Sequence, residues 1–448
     1  MQVTVQEIGS KASGRFALIA VLATCLCLRL ALAFYYSDAD VTRDAYNYRE
    51  IGRSMADGKG FAIDAFFGDI ATGNPKLTAY GNPIYPALLA SIYWSIGEEI
   101  GRVPSVSVVQ SVMDTLSCFL VFLLAYRLLD RRKAALVAAA VYAIYPPFLL
   151  SVITPMTETS TILLTLVAAY ALIKAIGGED GDEAAARGGF GRYVLAGALM
   201  GLLILLKPAM LGFPFAVGLM LFALRERVGG WLVRSAIYIG VAYLVVSPWT
   251  LRNYAVFGVF LPVASHGGQT LWGGTGPADG ICLGGWAYPV ASVNGPDPGN
   301  DRIPRISEPT YRKITAMQER LSQLDEIQLD KALRAEAIKE IKQHPGRYLF
   351  LAVKKPFRLW FNLWNDFPPS MSSYAIAGLN AVLLALAVLG YRRSKIDYRF
   401  KILSVYLIGY TTVLSMLAFA NLRYSYPLMP FVIILAASVI GARKKQPT

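Results

Sequence analysis

Ten stretches of mostly apolar residues recur along this 448-residue chain, at 15–36, 105–126, 134–153, 157–176, 193–206, 209–224, 234–250, 373–390, 402–420 and 428–442. A helix needs about 20 such residues to cross a bilayer. Lipid offers the backbone no hydrogen-bond partner, so a spanning segment satisfies its own amides as a helix. The expected fold is therefore an all-α polytopic membrane protein of about ten transmembrane helices. Charged residues make up only 16% of the chain and hydrophobic residues 55%, against roughly 25% charge in soluble domains. A disordered chain and a disulfide-rich secreted scaffold are excluded by the same figures.

Basic residues set the expected topology. The clusters Arg127/Arg131/Arg132/Lys133, Arg225/Arg227, Arg392/Arg393/Lys395 and Arg443/Lys444/Lys445 flank apolar stretches, as do Lys11 and Arg15. The positive-inside rule places all of them in the cytoplasm. That holds only if two ambiguous stretches, 84–97 and 346–364, do not cross but lie in the outer leaflet as interfacial or re-entrant helices. Both termini then sit in the cytoplasm, and 37–104 and 251–372 face outward. Three parts follow: an N-terminal membrane module over 1–250 that includes the loop 37–104, an outer loop and cap over 251–372, and C-terminal helices over 373–448. A cleaved signal peptide ending at Ala31-Leu32-Ala33 is a rival for the first span, opposed by Arg29 and by the belt-like Tyr35/Tyr36. Residues 177–191 read as a cytoplasmic linker.

Candidate chemistry gathers at the outer face. Residues 43–56 place Ala45, Tyr48, Ile51, Gly52 and Met55 on one side of a short amphipathic helix, with Asp44 in its first turn and Gly58-Lys59-Gly60 at its end. Glu158 follows Thr154-Pro155, where Thr154 can cap a helix and Pro155 suits its first position. Each acid has a bland reading as a first-turn carboxylate favoured by the helix dipole. Together they form a pair able to deprotonate a hydroxyl and position it. Cations on this side are unexpected: Lys207, Arg252, Lys354, Lys355, Arg358 and Arg423. Several of them converging would suit a phosphate. Within the spans, Arg29 and Asp114 lie at similar depth and are expected to pair, as a functional group or as a staple between helices.

Other signals are weak. Cys25, Cys27 and Cys118 fall in spans and Cys282 is alone in the outer loop, while His266 and His344 have no metal-binding company. The Gly-rich run 268–276 lacks the lysine of a phosphate-binding loop. Asp38-Ala39-Asp40 is a poor cation signal, so no cofactor is required and a divalent metal is not indicated. Residues 308–342 have helical spacing at Ile314, Met317, Leu321, Leu324 and Ile327, which predicts a small outer cap. The net charge of +13 is spread over loops, which disfavours nucleic acid. A transporter or flippase of a lipid-linked or anionic substrate, a polysaccharide polymerase and a membrane scaffold all stay open on these residues alone.

Several segments in order carry a resemblance. They are Arg43-Asp44-Ala45-Tyr46, Met55-Ala56-Asp57-Gly58-Lys59-Gly60-Phe61, Asn82-Pro83-Ile84-Tyr85-Pro86, Leu128-Leu129-Asp130-Arg131-Arg132, Thr157-Glu158, Lys207-Pro208, Pro248-Trp249-Thr250-Leu251-Arg252-Asn253 and Arg423-Tyr424-Ser425-Tyr426-Pro427. In these the chain resembles the GT-C glycosyltransferases of the protein O-mannosyltransferase and aminoarabinose-transferase type. The resemblance implies a polyprenyl-phosphate-sugar donor, an acceptor hydroxyl on a lipid, glycan or protein, inversion, and an active site on the periplasmic face of a bacterial inner membrane. It implies Asp44 as catalytic base and Glu158 as the second acid, where many relatives have aspartate. Arg423, Arg252, Lys207 and Lys354 would serve the lipid phosphate, with Tyr46, Asn82 and Tyr85 beside them. Asn82 stands where the aminoarabinose subgroup carries lysine, which argues against that sugar.

Overall fold

The computed structural model describes residues 5–37, 43–65, 72–176, 183–225, 230–275, 316, 320–321, 323–363 and 371–440. The linker core 177–182, the Asp38-Ala39-Asp40 signal, Cys282 and most of 273–315 lie outside them. The chain is a multi-pass membrane protein. Seven helices among the described residues are long and apolar enough to cross a membrane: Arg15–Tyr35, Ser105–Leu129, Glu158–Ile176, Gly189–Leu206, Trp231–Phe257, Met371–Arg393 and Tyr398–Leu417. They belong to α1 (Val5–Tyr35), α4 (Ser105–Leu129), α7 (Glu158–Ile176), α8 (Glu183–Leu206), α10 (Trp231–Phe257), α14 (Met371–Arg393) and α15 (Tyr398–Leu417).

The remaining three expected spans are shorter or broken, and a proline lies within or directly before each. The stretch 134–153 divides into α5 (Arg132–Ile144) and α6 (Pro146–Ser151). Pro146 and Pro147 lack amide protons, and Tyr145 ahead of them is pushed to φ −66°, ψ 114°. After Lys207 the chain makes a 3₁₀ turn over Pro208–Met210 before α9 (Phe213–Ala223). The last apolar run is a 3₁₀ segment, Leu422–Leu428, that carries Pro427 and leads into α16 (Met429–Ala437).

Short elements frame one end of the bundle. Helix α2 (Arg43–Ala56) buries Ala45 and Ile51, and Gly58 beyond its end takes φ +75°. Helix α3 (Ile84–Ser95), at 12 residues, is too short to span. Two small hairpins pair β1 (Ala62–Ile63) with β2 (Lys76–Leu77) and β3 (Glu99–Ile100) with β4 (Val103–Pro104), both antiparallel. Helix α11 (Gly267–Thr275) packs beneath α12 (Glu326–Gln343), the cap helix, which starts at a capping box on Asp325 and Gln328. Helix α13 (Pro345–Phe361) turns Leu351, Ala352, Leu359 and Trp360 inward and leaves Leu349, Phe350, Val353 and Phe357 exposed. Its two-faced pattern and 17 residues fit a helix lying along a membrane surface.

Small residues allow the closest helix contacts. On α8, Gly197 and Gly201 face α10 four residues apart, and a Cβ on Gly201 would lie 2.6 Å from the Ala242 carbonyl oxygen. This is the small-xxx-small rule of membrane helices. Gly201→Ala is expected to cost about 1–3 kcal/mol through overpacking, read as a lower thermal midpoint of the purified protein. The Gly-rich run noted in the sequence serves the same purpose. A Cβ on Gly268 would meet the Asp330 carbonyl oxygen at 2.0 Å, and one on Gly274 that of Ala418 at 1.6 Å.

Deep in the bundle Arg29 Nε donates to Asp114 Oδ2, and both side chains are fully buried. Arg29 Nη1 donates to the carbonyls of Cys25 (3.0 Å) and Ala143 (2.9 Å), and Tyr142 OH donates to Asp114 Oδ1 at 2.6 Å. One buried cluster thus ties α1, α4 and α5 together.

Candidate active site

Two acids and two bases meet at the α2 end of the bundle. Arg423 Nη2 donates to Asp44 Oδ2 at 3.0 Å, and its Nε lies 3.8 Å from Glu158 Oε1. Lys207 Nζ lies 3.7 Å from the same Glu158 oxygen and donates to Thr157 Oγ1 at 3.3 Å. Glu158 is 3% exposed and Lys207 14%, whereas Asp44 and Arg423 are 35% and 31% exposed. The cluster therefore has a sealed inner half and an open outer half. Asp44 Oδ1 takes no hydrogen bond from the described residues, and Glu158 Oε2 is buried without a partner.

Local folding explains each placement. Asp44 stands in the first turn of α2 and Glu158 opens α7, so both sit at the positive end of a helix dipole. Arg423 is set by Asn421, whose side chain accepts from the Arg423 amide at 3.0 Å at the start of the 3₁₀ turn. Lys207 projects where Pro208 ends α8, and its ammonium lies 5.0 Å from the Tyr424 ring centroid. Burial pulls Lys207 below its ordinary value, while Glu158 pushes it back up. The aliphatic and aromatic packing around it thus weakens the charge that Glu158 restores.

The connector before α7 departs from the sequence expectation. Thr154 and Pro155 stay outside the helix, which starts at Glu158. Side chains of α4 hold this connector extended. Gln110 Nε2 donates to the carbonyls of Val152 (3.1 Å) and Thr154 (2.9 Å), and Ser107 Oγ to that of Ile153 (3.1 Å). Gln110 Oε1 in turn accepts from Tyr85 OH at 2.7 Å. Tyr85 is therefore a buried strut to the Glu158 connector. Asn82 Nδ2 donates to the Leu206 carbonyl at 2.9 Å and to Tyr48 OH at 3.4 Å, which holds the turn that carries Lys207.

Other sequence candidates make contacts of their own. Arg252 Nη1 donates to the Thr78 carbonyl (2.8 Å) and to Asn253 Oδ1 (3.1 Å), and Nη2 to the Phe61 carbonyl (3.2 Å). Its guanidinium stacks over Trp249 at 4.9 Å. Backbone oxygens and rings occupy this arginine, so it fastens loop 61–78 to α10. Lys354 Nζ lies 4.1 Å from the Phe350 ring centroid on the same interfacial helix. Tyr46 is half-buried on α2, and it is Tyr48, four residues after Asp44, that packs on Tyr85 with ring centroids 5.3 Å apart. Burial and the Asp44 charge push the Tyr48 phenol well above its ordinary value, so it stays a neutral hydroxyl. The i, i+4 spacing from Asp44 was the available sequence signal for Tyr48. Gln110 had none beyond its place in an apolar segment, and Tyr424 was marked only as part of the segment Arg423-Tyr424-Ser425-Tyr426-Pro427. Among the described residues no three His, Cys, Asp or Glu side chains converge as a metal site. Asp44 and Glu158 share Arg423 instead.

Residues 82–251 match the family described as dolichyl-phosphate-mannose-protein mannosyltransferase. The chain is similar over 98% of its length to the archaeal oligosaccharyltransferase AglB from Archaeoglobus fulgidus in complex with an inhibitory peptide and a dolichol-phosphate, at 14% identity, with a TM-score of 0.58 and 53% of that chain covered. The chain shares its fold with that oligosaccharyltransferase. A second structure of the A. fulgidus oligosaccharyltransferase, with Zn and sulfate, matches this chain at 15% identity over 95% of it and 49% of that chain, with a TM-score of 0.52. ArnT from Cupriavidus metallidurans bound to undecaprenyl phosphate is 15% identical over 97% of this chain and 78% of that one, with a TM-score of 0.43. Comparison with curated protein sequences finds no match. The chain spans about half the length of the archaeal structures it matches.

Proposed function

We propose that the protein transfers a sugar from a polyprenyl-phosphate donor to an acceptor hydroxyl at the outer face of the membrane. The observation that carries this reading is one arginine, Arg423, held between a half-exposed acid and a buried one, with Lys207 beside them. A phosphate entering from the lipid would find Arg423 and Lys207 as charge-assisted donors. Asp44, with Oδ1 unengaged, accepts the proton of the acceptor hydroxyl. The acceptor oxygen bonds to the anomeric carbon as the bond from that carbon to the phosphate oxygen breaks. The electron pair leaves with the phosphate, and Arg423 and Lys207 stabilise the charge that develops there. Attack opposite the phosphate inverts the configuration. Glu158 holds the two cations in register from below.

The outer placement rests on charge. The end of α4 away from the acids carries Arg127 and leads to Arg131, Arg132 and Lys133, and α14 ends in Arg392 and Arg393. Those ends are cytoplasmic by the positive-inside rule, which leaves the acid cluster on the periplasmic side of an inner membrane.

The test supplies purified protein in nanodiscs with lipid extract and acceptors from membranes of a deletion strain. Release of free polyprenyl phosphate together with a new glycosylated product is expected. Movement of the lipid between leaflets without sugar transfer would overturn the reading in favour of a flippase. Arg423→Ala is expected to raise the donor KM by about tenfold or more, the loss of a charged hydrogen bond of about 1.5–3 kcal/mol, and a donor KM equal to wild type would remove Arg423 from the phosphate site.

A further inference from the structure

Helix α15 ends at Leu417, shortly before the 3₁₀ segment that presents Arg423. The last carbonyls of a helix find no donor within it. Here the interfacial helix α13 supplies the donors. Lys355 Nζ donates to the carbonyls of Met416 (3.1 Å) and Ala418 (2.7 Å), and Tyr348 OH donates to that of Leu417 between them. Gly274 of α11 packs on the same point, where a Cβ would lie 1.6 Å from the Ala418 carbonyl oxygen and 3.2 Å from Lys355 Nζ. The chain leaves the helix at Ala418 with φ −110° and ψ −95°. Asn421 then takes the Arg423 amide on its side chain and the Tyr424 amide on its carbonyl, each at 3.0 Å. Between the clamped Ala418 and this cap lie Phe419 and Ala420, both buried. The backbone of Arg423 is thus tied to α13 through a short stretch with little freedom.

The ammonium is held at a cost. Lys355 is 3% exposed, and its partners are carbonyls rather than a carboxylate. Burial and the neighbouring Arg358 charge pull it down to about 8. Carbonyls at a helix C-terminus carry partial negative charge, which offsets part of that cost. A second line of contacts starts on the same helix. The Arg358 guanidinium lies 5.5 Å from the Phe419 ring centroid, Phe419 meets Tyr424 edge-on at 6.1 Å, and Tyr424 lies 5.0 Å from Lys207 Nζ. Arg423 through its backbone and Lys207 through two rings are both connected to α13.

We propose that Lys355 is a positioning residue for the phosphate site: by holding the Met416 and Ala418 carbonyls it fixes the connector that sets Arg423 between Asp44 and Glu158. This rests on the reading of Arg423 as a phosphate donor in the transferase. An outer-face cation then serves the phosphate without touching it, and a helix that lies along the membrane surface becomes part of the frame of the site.

The test titrates wild type, Lys355→Met, Arg423→Ala and the double variant in nanodiscs with a polyprenyl phosphate, and records their thermal midpoints. Methionine keeps the length of the side chain and removes the donor. Lys355→Met is expected to weaken binding about fivefold in the wild-type background, the loss of a hydrogen-bonded clamp. In the Arg423→Ala background it is expected to weaken binding less than about twofold, because the effect passes through that arginine. A lower thermal midpoint with wild-type binding would overturn the inference, and so would equal weakening in both backgrounds. If Lys355→Met does not fold, Tyr348→Phe takes its place, since it removes one hydroxyl from a half-buried ring. It is expected to weaken binding about threefold with the same dependence on Arg423, and wild-type affinity would overturn the inference. Failure of the wild type itself to bind a polyprenyl phosphate would remove the phosphate site, and the inference with it, before any variant is compared.

Discussion

Asp44→Asn is expected to lower the rate of sugar transfer by about 10²–10⁴-fold, the usual contribution of a general base, with the donor KM changed far less. Asparagine keeps the size of the side chain and an oxygen for Arg423, but cannot take the hydroxyl proton. The pair it weakens is about one-third exposed on each side, so little stability is at stake. Single-turnover transfer separates the chemical step from donor binding, and a thermal midpoint close to wild type shows that the protein is folded. Full activity in Asp44→Asn would defeat the base assignment outright. The same substitution at Glu158 acts differently, because this acid is 3% exposed and faces two cations. Its loss would show first in donor binding, through disorder of Arg423 and Lys207.

The largest effect on stability is expected at Arg29 and Asp114. Removing either partner leaves a fully buried charge in a membrane helix, a loss of about 3–5 kcal/mol. Asp114 also accepts from Tyr142 OH, and Arg29 donates to the carbonyls of Cys25 on its own helix and Ala143 on α5, so each single variant strands several polar groups. The pair Arg29→Met with Asp114→Leu removes both charges and is expected to recover most of that loss, short by about 1 kcal/mol for the stranded Tyr142 hydroxyl. Thermal midpoints of the four proteins form a double-mutant cycle. Additive losses would show that the two side chains do not act on one another. Activity is expected to follow stability in this series, since the cluster is distinct from the Asp44 group.

Much of the fold was legible because lipid imposes one rule on sequence: apolar runs of fixed length. Seven such runs became single helices. The three that broke did so where proline removes a ladder bond, at Pro146-Pro147, Pro208 and Pro427. Hydropathy is blind to that, because proline in an apolar run barely changes the average. At the site, Asp44, Glu158, Lys207 and Arg423 could be singled out as charges in places where charge is costly. Arg252 met the same criterion and donates to backbone carbonyls, to which a guanidinium is as well suited as to a phosphate. Pattern alone does not distinguish these partners. Gln110 carries no charge signal at all, and its role in holding the connector comes from the carbonyls that tertiary packing brings to it.

The contact between Arg423 and Asp44 joins positions 379 residues apart. During synthesis, the first outer loop reaches its compartment long before the arginine that completes the cluster has been made. For most of translation the emerging chain holds the two acids without the guanidinium that lies between them. Competence therefore arrives in a single late step, when the segment Leu422–Leu428 inserts against the starts of α2 and α7. A chain clipped before Leu422 would carry both acids of the site and lack the arginine that pairs with them.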